Sequence, residues 1–252
     1  IGKQFIPANI LQKHSALTDK EFEIMKTHTT LGYKICMDDI KLRPYAAGTI
    51  YHHEALNGSG YPNGLTKDDI PYEGQIIRVA DEYDAIVSKR QYKSHIGIID
   101  TLKILVDETK PIPNSDAIKI LASETKPEHN PSENVKIPTL GKNNPIIVKA
   151  LIKVIIDDTE YEISCIMDYL KDLKTEIKRL EQIEKYDKKR ISANSEDKKN
   201  YYLDGMKCLL TGQETVDNYL EILNSYKNIV QSKTEHIDKL FEEIKIVKKL
   251  KF

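Results

Sequence analysis

His52 and His53 stand side by side and lead into Glu54-Ala55-Leu56-Asn57-Gly58-Ser59-Gly60-Tyr61-Pro62-Asn63-Gly64-Leu65. Adjacent imidazoles followed by a glycine-rich Tyr-Pro turn fit neither an ordinary core segment nor an ordinary loop. They read as a metal site beside a substrate loop. Two neutral imidazoles side by side can bind different ions of one cluster, and nitrogen ligation suits iron, manganese, zinc and nickel alike. The histidines therefore leave the ion open.

The flanking segments are helical in pattern. Thr18 precedes Glu21 by three residues, a capping-box spacing that opens an amphipathic helix through Phe22 and Met25 and sets His28 one or two turns inside it. Downstream, Gln75 to Ile86 carries apolar residues at helical spacing, and Asp81 interrupts the apolar face. A buried carboxylate needs a partner, and a metal ion is one.

These residues resemble the HD-GYP phosphohydrolases, a branch of the HD superfamily that hydrolyses the bacterial second messenger cyclic di-GMP. The resemblance covers roughly residues 1 to 110. It runs through Ile1-Gly2-Lys3, Ile6-Pro7, Leu17-Thr18, Met25-Lys26-Thr27-His28, His52-His53-Glu54, Gly58-Ser59-Gly60-Tyr61-Pro62, Ile70-Pro71, Val79-Ala80-Asp81, Tyr83-Asp84-Ala85 and Arg90-Gln91-Tyr92-Lys93. It implies an all-α fold, an HD-type helical bundle. It also implies metal ligands at His28, His52, His53 and Asp81, two or three divalent ions with iron or manganese foremost, and Lys3 near the reacting phosphate. Arg90, Lys93 and Tyr92 would meet the phosphates or bases of the dinucleotide, where a guanidinium fork suits phosphate oxygens. The loop motif is Gly60, Tyr61 and Pro62. The implied chemistry is metal-assisted attack of hydroxide on phosphorus, giving linear pGpG or GMP without a protein nucleophile.

The chain departs from the family pattern at its start. There the motif containing Ile1-Gly2-Lys3 opens with a His-Asp pair, and this sequence begins one residue later and without Met. Truncation or processing is the expectation, and with it weak metal binding by the chain as it stands. Asn57 occupies a position where aspartate is common, and both residues suit the turn that follows. Taken singly, His28 would be a core or surface histidine, Asp81 a helix-surface carboxylate, and Lys89, Arg90 and Lys93 a solvated face. Their joint order argues otherwise. His14, His95, His129 and His236 fit no ligand spacing.

Charge is nearly balanced, with 38 basic and 39 acidic residues, so no global field favours nucleic acid or membrane. Cys36, Cys165 and Cys208 are widely spaced and odd in number, which favours reduced thiols and a cytoplasmic setting. Even Ile146 to Ile156 is broken by Lys149 and Lys153, so no span of about 20 apolar residues exists.

Four regions separate along the chain. Residues 1–107 hold the site. Residues 108–145 form a Pro-rich insertion with six prolines, where only Asp116 to Ser123 looks helical. Residues 146–164 read as a final core helix opened by Pro145. Residues 165–252 form a charged helical extension with apolar seams at Leu170, Leu173, Ile177, Leu180 and at Ile237, Leu240, Ile244, Val247. Breaks are expected near Ser192–Ser195, Thr211-Gly212 and Ser232, giving three or four helices suited to packing on the main domain, to a homodimer, or to signal relay. Two functional readings follow. One is a metal-dependent phosphodiesterase of cyclic di-GMP. The other is an inactive regulatory module binding a nucleotide or a diguanylate cyclase domain.

Overall fold

Thr18 begins the first long element as its spacing requires. Its hydroxyl accepts from the Glu21 amide while the Glu21 carboxylate accepts from the Thr18 amide at 2.7 Å, closing a capping box. The computed structural model describes residues 1–13, 15–88, 96–111, 140–212 and 214–252. Among these the helices are α1 (Ala8–Leu11), α2 (Asp19–Asp38), α3 (Ala46–Tyr51), α4 (Tyr72–Val87), α5 (Ile98–Asp107), α6 (Pro145–Ile191), α7 (Glu196–Leu209) and α8 (Tyr219–Lys248). Short 3-10 turns occupy Gly2–Phe5, Arg43–Tyr45 and Lys67–Asp69. The described residues are all-α, with a single isolated bridge between Asn57 and Thr66. Two compact units divide them: Ile1–Val154 together with Val247–Phe252, and Ile155–Ile246.

In the first unit α2 packs on α3, α3 on α4 and α4 on α5. Val79, Leu102, Leu105 and Val148 are almost fully buried in its core. Each such side chain contributes about 1.5–3 kcal/mol relative to exposure. The N-terminal turn seats against α2 by close backbone approach, since a Cβ on Gly2 would collide with the His28 carbonyl oxygen. Only glycine admits that contact, and it brings Lys3 to the His28 end of the site.

Residues 140–144, which the sequence pattern placed in the Pro-rich insertion, are bound tightly to this unit. The Lys142 and Asn143 amides donate to the Glu108 carbonyl at 2.7 and 3.0 Å, and the Leu56 amide donates to the Lys142 carbonyl at 3.0 Å. Asn143 is 1% exposed and Asn144 donates to the Gln75 side chain at 2.8 Å. Residues 112–139, including the helix expected at Asp116 to Ser123, lie outside the described residues.

Pro145 opens α6, and that helix runs without a break to Ile191. In the second unit Leu170 clusters with Ile237, Leu240 and Ile244, so the two seams read from the sequence meet at Leu170, whereas Leu180 of the first seam packs elsewhere. Leu180, Ile183, Met206, Tyr219 and Leu223 form a second cluster. Arg179 clamps the α7–α8 connection, donating to the Leu209 carbonyl and to both Glu214 oxygens at 2.6, 2.6 and 2.5 Å. Among the described residues breaks fall at 192–195, at 210–212 and at 214–218, but none at Ser232. There the polar run lacks glycine and proline, so hydrogen bonding continues, and the Thr234 hydroxyl turns back to the Val230 carbonyl at 2.7 Å. No helix among the described residues is long and apolar enough to cross a membrane.

Candidate functional site

His28 projects from the middle of α2 and is 5% exposed. Its Nδ1 lies 2.7 Å from the Met25 carbonyl oxygen. A carbonyl can only accept, so Nδ1 carries the proton and Nε2 presents a lone pair. That lone pair faces His52 Nε2 at 3.1 Å. His52 caps the C-terminus of α3, and His53 follows it. The three ring centroids lie 5.2 Å (His28–His52), 5.1 Å (His28–His53) and 4.2 Å (His52–His53) apart. One nitrogen from each ring falls within 4.8 Å of the others.

Burial lowers the pKa of all three imidazoles. For His28 it acts against the hydrogen bond to Met25, and for His52 the neighbouring His28 adds to it. His53 is pushed down to about 2 by burial first, then by His52 and His28. At neutral pH the cluster is uncharged, which is the form that ligates metal.

The Gly-Tyr-Pro loop is bound to the same place. Glu54, 1% exposed, accepts from the amides of Asn63 at 2.7 Å and Leu65 at 2.9 Å. Asn57 turns the chain by accepting from the Ser59 amide and hydroxyl at 3.1 and 2.7 Å. Gly60 presses on the backbone of residues 53–55, where a Cβ would collide with the Ala55 nitrogen. Tyr61, whose peptide with Pro62 is cis, then donates its amide to the His53 carbonyl at 3.1 Å and stacks its ring on His53 at 4.6 Å. Burial, with the Asp81 carboxylate adding to it, raises the pKa of the Tyr61 phenol. It stays protonated and able to donate.

A cavity of about 600 Å³ opens over this cluster, within the size range of small-molecule sites. Lys3, Lys13, His28, His53, Tyr61 and Asp81 line it. The structure thus brings Lys3, His28, His53, Tyr61 and Asp81 to one cavity and sets His52 against His28. Asp81, half-buried on α4, stands outside the three-nitrogen group. Arg90, Tyr92 and Lys93 lie outside the described residues.

Sequence reasoning missed the support behind the histidines. The Arg78 guanidinium donates to the Asn143 side chain at 2.8 Å and to the His53 carbonyl at 3.4 Å, while Asn143 donates to Glu82 at 2.7 Å. A polar Arg78 immediately before the core Val79 was the available signal. Its partner 65 residues away was not.

The donor set fits a divalent ion. His28 and His52 bring their Nε2 atoms to 3.1 Å, and His53 offers a third nitrogen within 4.8 Å of the others, so His28, His52 and His53 would hold such an ion by imidazole nitrogen. The Met25 carbonyl supplies the second hydrogen bond that ligating histidines characteristically make.

Comparison with known proteins agrees. Residues 1–112 match the family model described as HD domain. A cyclic di-GMP phosphodiesterase of Thermotoga maritima is 49% identical over 96 residues, 37% of this chain and 26% of that protein. Residues 1–112 are similar to HD domains of the HD-GYP branch. The HD-GYP likeness extends to the cyclic di-GMP phosphodiesterase PdeB of Borreliella burgdorferi, 39% identical over 107 residues, 41% of this chain and 28% of that protein. It also extends to the 3'3'-cGAMP-specific phosphodiesterase 2 of Vibrio cholerae, 42% identical over 95 residues, 37% of this chain and 18% of that protein. The chain spans between 18% and 28% of the length of these curated relatives.

Proposed function

We propose that this HD-GYP domain belongs to a metal-dependent phosphodiesterase that hydrolyses cyclic di-GMP. The observation that carries the reading is the convergence of His28, His53, Asp81, Lys3 and the Tyr61 loop on one cavity, with His52 set against His28. His28, His52, His53 and Asp81 would hold two or three divalent ions, with iron or manganese suited to the mixed nitrogen and oxygen donors. Bound there, such ions supply Lewis acidity and hydroxide at neutral pH.

The chain's own residues bind and orient the substrate. Lys3 brings a positive charge to the cavity for a phosphodiester oxygen, and the Tyr61 phenol, kept protonated by burial, offers a donor beside His53. Arg90 and Lys93, with Tyr92, would hold the second phosphate and the bases. The named relatives include enzymes of cyclic di-GMP and one of 3'3'-cGAMP, so the two cyclic dinucleotides are the substrates to compare.

The full-length protein loaded with manganese or iron, incubated with each dinucleotide and followed by chromatography, tests the proposal. Release of pGpG or GMP from cyclic di-GMP, lost in His53→Ala with helicity retained, is expected. A metal-loaded protein that leaves both dinucleotides intact overturns it.

A further inference from the structure

The second unit carries a feature that the HD-GYP chemistry does not use. Between α6 and α8 lies a groove of about 610 Å³. Its apolar part includes Met167 and Phe241, which are 56% and 45% exposed although both lie beside the buried seam residue Ile237. Its basic part is Lys171, Lys174 and Lys178, all exposed, at spacings of three and four residues and so on one face of α6 over about 10 Å. None of the three makes an ion pair among the described residues, whereas Lys188, Lys227 and Lys245 of the same unit do. No carboxylate among the described residues lines the groove.

We infer that this groove docks an acidic amphipathic helix of a partner protein. Two turns of such a helix match the reach of the lysine row, with apolar residues at helical spacing meeting Met167, Ile237 and Phe241. Methionine suits such a surface because its flexible thioether repacks around varied side chains. Charge complementarity selects the sign of the partner. It also selects a narrow partner over an extended anionic one. Asp168 and Asp172 on α6 and Glu235 and Asp238 on α8 are exposed and each adjoins a groove residue in sequence, so a flat anionic membrane or a nucleic-acid backbone that reached past the groove would meet repulsion beside the lysines.

The test is selection on the intact chain from a displayed library of 16-residue helices that share a leucine stripe and vary at the flanking positions between Glu, Lys and Ser. Peptides enriched in Glu, binding at least tenfold more weakly to the triple variant Lys171→Glu, Lys174→Glu, Lys178→Glu and to Phe241→Ser, are the expected result. Both variants alter exposed side chains, and circular dichroism checks that each stays helical. Enrichment of Lys-flanked or uncharged helices overturns the inference, as does enrichment insensitive to both variants. Two further results would assign the groove to another occupant and overturn it too. One is concentration-dependent dimerisation of the chain, abolished by the triple variant. The other is binding to vesicles of phosphatidylcholine with phosphatidylserine that the triple variant abolishes.

Discussion

His28 Nε2 and His52 Nε2 face each other at 3.1 Å, with the proton of His28 committed to the Met25 carbonyl on the far side of its ring. Without a cation, His52 has to turn an N–H toward His28. A cation held as proposed would be offered a nitrogen lone pair by each ring. The pairing joins the middle of α2 to the residue that ends α3.

On the proposed assignment, replacing His52 by alanine removes one metal ligand while α2 and α3 keep their helical hydrogen bonds. Loss of a hydrogen-bonding partner behind a ligand costs roughly 10–100-fold in metal affinity, and loss of the ligand itself costs more. Calorimetric titration with manganese is expected to show a decrease beyond that range with unchanged helicity. Unaltered affinity would remove His52 from the ligand set.

Glu54 is the pivot of the loop. Both of its carboxylate oxygens accept backbone amides, and glutamine can offer only one acceptor, turning its amide donors toward a backbone N–H. Glu54→Gln is expected to destabilise the first unit by about 2 kcal/mol, the typical loss of a hydrogen bond to a charged group. Thermal denaturation checks the size, and hydrogen exchange at Asn63 and Leu65 checks the place. Protection at both amides equal to that of the parent would refute the pivot.

The site was partly legible in the sequence. Thr18 and Glu21 announced the cap, Pro145 announced the start of α6, and the seams at Leu170 and Ile237 were periodic, because each depends on neighbours within a turn or two. The three histidines could be assigned only because their order resembled a family. Contacts between distant segments left no local signature. Asn143 meets Arg78 and Glu82 across more than 60 residues, and Gly2 meets His28 and Gly32 through backbone alone. The continuity of α6 beyond residue 164 and of α8 through Ser232 was hidden for another reason. Charged and polar runs without glycine or proline read as breaks when composition is weighed above hydrogen bonding, although such residues propagate a helix that tertiary packing supports.

Gly60→Ala tests the close approach that lays Tyr61 on His53. The added methyl meets the Ala55 nitrogen and the His53 carbonyl, both backbone, so the loop has to move as a body. Overpacking of this kind costs about 1–3 kcal/mol. The expected outcome is a lower melting temperature together with faster exchange of the Tyr61 amide, whose acceptor is the His53 carbonyl. An unchanged exchange rate would show that the loop does not depend on this contact.

Glu21 gives the first unit a defined response to acid. The Lys13 ammonium, followed by the Thr18 amide, holds its carboxyl at about 2, against an ordinary value of 4.5. The folded-state pKa is depressed, so the unfolded chain takes up the proton first as pH falls. The contribution is fully present above pH 4.5, declines as pH falls below it, and is gone once pH passes below about 2. Glu21→Gln should therefore lower stability to urea at pH 7, and the difference between variant and parent should vanish near pH 2. Added salt should shrink the difference at pH 7, because the Lys13–Glu21 pair lies at the surface and is screened. A difference that persists unchanged from pH 7 to pH 2 would show that Glu21 acts through the shape of its side chain and not through its charge.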